Sequence, residues 1–164
     1  MVFWSVISPA VDTPLYVAAG DSGLQRVSFT DDLPTGEWTR QDSHPVIRET
    51  ARQLTRYFDG KLKDFDLPLD LRGTPFQIKV WNALLDIPYG KTISYAELAH
   101  RVQSPRGFRA VGAANGRNPI PIIVPCHRVI ASDGTLHGYG GGLPYKHRLL
   151  QLEGAMPATM FAHA

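Results

Sequence analysis

Residues 94–116, SYAELAHRVQSPRGFRAVGAANG, determine the fold that we expect for the second half of the chain. Ser94 followed three residues later by Glu97 is a capping box, which predicts that a short helix begins here. Pro105 suits the first position of a second helix, which we expect to end near Asn115. Because few residues remain between the two helices, the stretch predicts a helix-turn-helix.

The second of these predicted helices has one flank that is made almost entirely of small residues. Ala110, Gly112 and Ala113 carry little side chain, so the backbone there can approach another surface closely. Close packing against another helix and contact with nucleic acid explain this flank equally well. Arg106 and Arg109 at the start of the helix favour nucleic acid, because arginine binds phosphate.

Composition and charge set broad limits on the chain. With 164 residues, 43% hydrophobic and 20% charged, it is an ordinary globular sequence of one domain or two small ones. Residues 1–72 carry 8 Lys/Arg and 11 Asp/Glu, a net charge of −3, whereas residues 73–164 carry 9 and 4, a net charge of +5. A basic half fits a phosphate-rich partner, but a charge of this size is also common on soluble surfaces.

Residues 1–72 predict a small domain of strands and one helix. Strands are predicted at residues 2–7, 15–18, 24–29 and 65–71, where residues are rich in strand formers or alternate in polarity. The polar stretch 31–43 is expected to be a loop, and residues 45–58 carry a loose apolar stripe at helical spacing. The carboxylates of this half are scattered, so we predict a structural role for it.

Residues 73–164 are predicted to be mostly helical, with two unusual loops. Thr74, Pro75 and Gln77 make a strong helix start. Residues 119–125, PIPIIVP, hold three prolines that remove hydrogen-bond donors, which predicts a stiff, extended, buried segment rather than a regular strand. Residues 138–142 hold four glycines around one tyrosine, which suits a loop that lies close to a ligand.

Cys126 is the single cysteine of the chain. It cannot form an internal disulfide or supply the several thiolates of a structural zinc site, so we predict no metal. A free cysteine is most often a small buried apolar residue. Here His127 and Arg128 follow it, and cationic neighbours lower the pKa of a thiol and make it nucleophilic. The pair remains ambiguous, because neighbours in an extended chain point to opposite faces.

The stretch PCHRV at 125–129 completes a set of motifs that resembles the O6-alkylguanine-DNA alkyltransferases, the methylated-DNA–protein-cysteine methyltransferases. The resemblance is dense from about Thr74 to Gly154, and the first half of the chain matches only loosely. Its motifs, in order, are GTPFQ at 73–77, IPYG at 87–90, SY at 94–95, RAVG at 109–112, NP at 118–119, IIVPCHRV at 122–129, Tyr139 with GG at 141–142, Lys146, LL at 149–150 and EG at 153–154.

The resemblance implies an α+β fold in two domains. Residues 1–72 would form a small N-terminal antiparallel sheet with a helix, in a structural role. Residues 73–164 would form a mostly helical C-terminal domain that contains the helix-turn-helix and the active-site cysteine, and that binds DNA and accepts the alkyl group.

The resemblance also implies a catalytic role for each matching residue. Cys126 would accept the alkyl group, and His127 would deprotonate the thiol through a water molecule. Glu153 would orient the histidine, and Asn118 would hold the turns of the site together by hydrogen bonds. Tyr95 would contact the flipped base and its phosphate and donate a proton or a hydrogen bond to the guanine ring.

Further residues would bind DNA or the flipped base. Arg109 would enter the base stack and fill the space left by the base. The other expected contacts are Ala110, Gly112, Ala113, Val129, Tyr139, Gly140 and Arg128. Two positions depart from the family pattern. Phe108 stands where a small alanine is usual, and Gly140 stands where a serine often sits.

Together these roles imply direct-reversal repair of DNA that carries O6-alkylguanine, with O4-alkylthymine left open as a second substrate. The alkyl group would pass irreversibly to Cys126 in a single turnover, because no second cysteine can regenerate the thiol. No cofactor is expected. No apolar run reaches the length of a membrane span and the N-terminus lacks a secretory pattern, so we expect a cytoplasmic protein without a membrane partner. We also expect the protein to be a monomer.

Three other functions remain open from the sequence. A lesion-binding relative would flip damaged bases without transfer, but such proteins lack the acceptor cysteine that is present here. A cysteine hydrolase would use Cys126 and His127, although hydrolase Cys and His usually come from distant segments. A plain helix-turn-helix regulator would prefer palindromic sites and would not need Cys126 for binding.

Overall fold

The structure, a computed structural model, describes residues 1–34, 36–136 and 138–155. The chain divides into two compact units, Met1–Arg72 and Gly73–Ala164. Within the described ranges, no helix is long and apolar enough to cross a membrane. The elements are β1 Phe3–Ala10, β2 Thr13–Gly20, β3 Gly23–Ser28, β4 Thr39–Arg40, α1 Pro45–Phe58, α2 Pro75–Leu84, β5 Ile93–Ser94, α3 Tyr95–Arg101, α4 Phe108–Gly116, β6 Val129–Ile130 and α5 Leu143–Leu152.

The first unit is a four-stranded sheet with one helix packed on it. The strand order is β3-β2-β1-β4, in which β1 pairs antiparallel with β2, β2 pairs antiparallel with β3, and β4 runs parallel to β1. Helix α1 packs chiefly against β1 and has the bounds that its apolar stripe predicts. The core between helix and sheet consists of fully buried side chains, among them Leu15, Val17, Leu24, Leu54 and Tyr57.

Two predictions for this unit are wrong. Residues 65–71 are predicted to form a strand, but they make a single isolated parallel bridge between Leu24 and Leu69. Pro68 in the middle of the segment has no N–H to donate, which prevents a continuous ladder. The fourth strand is instead Thr39–Arg40, inside the stretch predicted as loop. Two exposed polar residues show no periodicity from which a strand could be recognised.

The second unit packs α2 against α3 and α4, which form the helix-turn-helix. The capping box of α2 is present as predicted. The Thr74 hydroxyl accepts from the Gln77 N–H at 3.1 Å, and the Gln77 carboxamide accepts from the Thr74 N–H at 3.0 Å. The buried indole of Trp81 donates to the Ala114 carbonyl at 2.9 Å. This bond ties the inner side of α4 to α2, so the opposite flank of α4 faces outward.

Helix α4 begins later than predicted. Its first residue is Phe108 rather than Pro105, because the Gly107 N–H donates to the Ser104 carbonyl at 2.8 Å and closes a turn. Proline suits the second position of such a turn as well as the first position of a helix, so the sequence did not distinguish them. The later start places Phe108 and Arg109 in the first turn of α4.

Residues 119–125 are mostly buried, as predicted, but they are not extended. The Val124 N–H donates to the Ile120 carbonyl at 2.9 Å, and Ile122 has a positive φ of 73°. The Asn118 carboxamide donates to the Val124 carbonyl at 2.7 Å and accepts from the Ile120 N–H at 2.9 Å. These bonds satisfy backbone groups that would otherwise be buried without partners. The segment therefore folds into turns that end at Cys126.

Candidate active site

Cys126 opens a short 3-10 turn, Cys126–Arg128, at the end of the proline-rich segment. The residue is only 6% exposed. Strand β6 follows the turn directly and pairs in parallel with β5, which leads into Tyr95 at the start of α3. Burial and the nearby Cys126 raise the pKa of Tyr95, so the phenol stays protonated at neutral pH. The two-stranded pairing thus brings together two predicted site residues that are 31 positions apart in the sequence.

A buried hydrogen-bonded cluster lies beside the cysteine. The His127 Nε2 atom is 2.7 Å from Glu153 Oε2. The Arg128 guanidinium donates to both oxygens of the same carboxylate, from Nε at 2.8 Å and from Nη2 at 3.1 Å. All three residues are buried. Burial would raise the pKa of Glu153, but the hydrogen bonds from His127 and Arg128 hold it at about 2, so the carboxylate is charged.

Arg128 requires a correction, because it was predicted to contact DNA or substrate. Its side chain is buried rather than exposed. Besides Glu153, it donates from Nη1 to the Ile87 carbonyl at 2.6 Å, and its guanidinium lies 5.8 Å from the centre of the Tyr89 ring. Its donors are used inside the protein, so Arg128 neutralises the buried carboxylate and does not reach DNA.

His127 has one nitrogen that can accept a proton. Donation from Nε2 to the charged Glu153 fixes the tautomer in which Nδ1 carries the lone pair. Nδ1 is buried and has no hydrogen-bond partner among the residues that the structure describes. Burial also lowers the pKa of His127, so the imidazole is neutral at neutral pH. A neutral imidazole held by a carboxylate is the state that a general base requires.

The thiol of Cys126 differs from the sequence-based expectation of a lowered pKa. Burial raises its pKa, while a hydrogen bond with the Asn118 side chain and the charge of Lys146 lower it. Arg128, the adjacent cation that motivated the expectation, is neutralised by Glu153. The thiol is therefore protonated in the free protein, and it would have to lose its proton to act as a nucleophile.

Lys146 also belongs to the site, although no role was predicted for it from the sequence. It lies on α5, is fully buried, and donates from Nζ to the Val129 carbonyl at 2.7 Å. Burial lowers its pKa to about 8, and Cys126 opposes that shift. The burial of Lys146 could have been predicted from the helical spacing. Lys146 precedes Leu149 and Leu150 by three and four residues, and it therefore shares their buried face.

Helix α4 presents the predicted DNA-binding flank. Arg109, Ala110 and Ala113 are exposed, and Gly112 is half-buried. A Cβ atom added at Gly112 would lie 3.9 Å from the Tyr95 ring, so this flank runs beside the site. The opposite face, which consists of Val111, Ala114 and Asn115, is buried.

The predicted base-pocket residues differ in their accessibility. Val129 is fully buried, with its carbonyl bound to Lys146. Tyr139 is half-buried and stacks on Tyr145, with ring centres 6.4 Å apart and planes at 10°. Gly140 is exposed in the glycine-rich loop. Tyr139 and Gly140 are thus the accessible members of this set.

Acidification should destabilise the protein through His127 and Glu153. The folded-state pKa values of both residues are depressed, that of Glu153 from 4.5 to about 2. Each group therefore stabilises the folded protein at pH values above the pKa that the group has in the unfolded chain. This contribution is lost as the pH falls towards the lower pKa of the folded state, because in that range the unfolded chain binds more protons than the folded protein. Denaturant unfolding at neutral pH and at about pH 5 should show the loss beginning below the ordinary histidine pKa of about 6.5. Equal stability at the two pH values would contradict this.

Both units match one protein family. Residues 5–71 match the 6-O-methylguanine DNA methyltransferase, ribonuclease-like domain, and residues 75–155 match the 6-O-methylguanine DNA methyltransferase, DNA binding domain. The chain belongs to the 6-O-methylguanine DNA methyltransferase family. This membership confirms the resemblance and the α+β fold, and it argues against the hydrolase and the plain regulator.

Relatives of the 6-O-methylguanine DNA methyltransferase family extend the match over most of the chain. A methylated-DNA–protein-cysteine methyltransferase of Mycobacterium tuberculosis is 61% identical over 141 residues, which are 85% of this chain and 86% of the relative. The crystal structure of a Mycobacterium tuberculosis O6-methylguanine methyltransferase superposes with a TM-score of 0.85 and 46% identity, covering 98% of both chains. A structure of that organism's enzyme in complex with DNA gives a TM-score of 0.81 at 46% identity, covering 93% of this chain and 92% of that one.

Proposed function

We propose that the protein repairs alkylated guanine in DNA by transferring the alkyl group to its own Cys126. The observation that carries the proposal is the arrangement of Cys126 next to His127, whose other nitrogen is held by the buried Glu153. The geometry provides a nucleophile, a neutral base and a group that orients the base. All three lie in the unit that matches the DNA-binding domain of the family.

DNA binding is assigned to the outward flank of α4. The small residues Ala110, Gly112 and Ala113 let the helix backbone come close to the walls of the minor groove. Arg109 is exposed and forms no ion pair with a carboxylate among the described residues, so its charge is available to DNA. It would fill the gap in the stack when the damaged nucleotide turns out, an extrusion that costs a few kcal/mol.

The chemistry is a displacement at the alkyl carbon. His127 Nδ1 takes the thiol proton through a water molecule, and the sulfur of Cys126 forms a bond to carbon as the bond from carbon to the guanine O6 breaks. Tyr95, a protonated phenol, donates a hydrogen bond to the departing guanine and so stabilises its negative charge. Asn118 contacts the sulfur and fixes the turns around it. The thioether product has no carbonyl that water could attack, so each molecule acts once.

The remaining assignments concern the setting of the reaction. Residues 1–72 serve a structural role, and residues 73–164 bind DNA and accept the alkyl group. The partner is DNA carrying O6-alkylguanine, with Tyr139, Gly140 and the Val129 backbone at the base. No cofactor takes part. A reactive free thiol needs a reducing compartment, which supports action in the cytoplasm, and we infer that the protein acts there as a monomer.

A lesion-binding protein without transfer is the second candidate, and a mass measurement separates the two. The intact protein, mixed with a duplex that contains O6-methylguanine, should gain the mass of one methylene unit and give no gain with unmodified duplex. Peptide mapping should place the gain on the peptide that contains Cys126. Tight binding with an unchanged mass would instead support the lesion binder.

A further inference from the structure

Phe108 is an exposed aromatic side chain at the start of α4. It is 55% exposed, and every other Phe, Tyr and Trp side chain that the structure describes is buried or half-buried. A single exposed apolar residue needs no explanation by itself. The position of Phe108 is informative because it directly precedes Arg109 on the flank assigned to DNA.

The spacing along α4 makes these two side chains the projections of an otherwise flat surface. Phe108 lies one helical turn before Gly112, and Arg109 lies one turn before Ala113. Each large side chain therefore leads a row of small residues. When the small residues contact the groove wall, Phe108 and Arg109 at the helix start extend furthest into the DNA. Gly112 faces the Tyr95 ring, so the row led by Phe108 is the one on the active-site side.

We propose that Phe108 inserts between stacked bases next to Arg109 and acts as a second wedge that opens the duplex at the lesion. The inference rests on the proposed DNA-repair function and adds a residue that recognises the base stack. Apolar side chains unstack base steps in other DNA-binding proteins, and an aromatic ring regains energy by stacking on base faces of any sequence. Arg109 fills the gap left by the extruded nucleotide, and the Phe108 ring replaces stacking that is lost at the neighbouring base step.

The wedge makes a prediction that a general contact with DNA does not make. Its contribution is needed where bases are stacked and paired, so it should be large for duplex DNA, smaller for single strands and absent for a free base. Arg109→Ala should also slow transfer most on duplex DNA, less on single strands and not at all on the free base, and it serves as the positive control. Leu85→Ala is the matched control, because Leu85 is also an exposed apolar residue of this unit, 42% exposed, and lies just after α2.

The test measures transfer rates of wild type, Phe108→Ala, Phe108→Trp, Arg109→Ala and Leu85→Ala. The substrates are a duplex with O6-methylguanine, the same strand alone, and free O6-benzylguanine. Phe108→Ala should slow duplex repair about tenfold and leave the free-base reaction unchanged, and Phe108→Trp should restore the duplex rate. In a Cys126→Ser background, 2-aminopurine next to the lesion should fluoresce more with Phe108 than with alanine, because the wedge unstacks it.

Several results would overturn the wedge. An unchanged duplex rate in Phe108→Ala would show that the ring does not contribute to repair. A raised duplex rate would show that the ring obstructs binding in the groove. Equal losses on duplex and free base would show that the substitution perturbs the active site instead. These outcomes are distinct from failure of the proposed function, which would appear as absence of transfer by the wild-type protein on every substrate.

Discussion

The Cys126→Ser variant is expected to lose alkyl transfer completely while binding damaged DNA nearly as well as the wild type. Serine keeps the size of the side chain, but its hydroxyl is a far weaker nucleophile and far less acidic than the thiol. Removal of an essential nucleophile typically costs on the order of 10⁶-fold in rate. Because Cys126 is only 6% exposed, it offers little surface to DNA, and the loss should therefore be confined to the chemistry.

Two measurements on the same preparation check this prediction. Intact mass after incubation with methylated duplex should remain unchanged, and titration of a labelled duplex should give a Kd close to that of the wild type. Cys126→Ala provides the comparison. Alanine lacks the hydroxyl of the serine variant as well as the thiol, and this variant should bind the duplex equally well. Transfer by the serine variant to another residue would remove Cys126 from its role. A large loss of binding would show that the thiol also supports the docked state.

Glu153→Ala is expected to lower the free energy of unfolding by about 3–5 kcal/mol. The carboxylate accepts two hydrogen bonds from Arg128 and one from His127, all in a buried setting. Without it, the guanidinium remains buried with the Ile87 carbonyl as its hydrogen-bond acceptor among the described residues. A buried charge that has lost its partner costs far more than an exposed one, because water cannot replace the lost interaction.

An exposed ion pair in the same unit supplies the control. Glu97 pairs with Arg101 at 3.1 Å on the surface of α3, and Glu97→Ala should cost less than about 1 kcal/mol. The double variant Glu153→Ala with Arg128→Met should lose less stability than the sum of the two single variants, because removing both charges leaves neither unpaired. Strict additivity, or a loss for Glu153→Ala as small as that for Glu97→Ala, would contradict the role of the buried cluster.

Sequence patterns predicted local structure well where neighbouring residues determine it. The bounds of α1 and the capping box of α2 follow from periodicity and from side chains a few positions apart. The same reasoning misplaced the start of α4, because proline fits both a turn and a helix start. It also missed β4, whose two exposed residues form a strand only through their pairing with β1.

From the sequence by itself, residue types at short spacing predicted the helix-turn-helix, and the family resemblance implied the two-part organisation and Cys126 as the nucleophile. The tertiary structure decided the electrostatics of the site. Whether Arg128 faces DNA or neutralises Glu153 depends on a partner that is 25 residues away. Whether the Cys126 thiol is ionised depends on burial and on Asn118 and Lys146, which are 8 and 20 residues away. The energy of a charge is determined by its surroundings in three dimensions, and sequence spacing does not specify them.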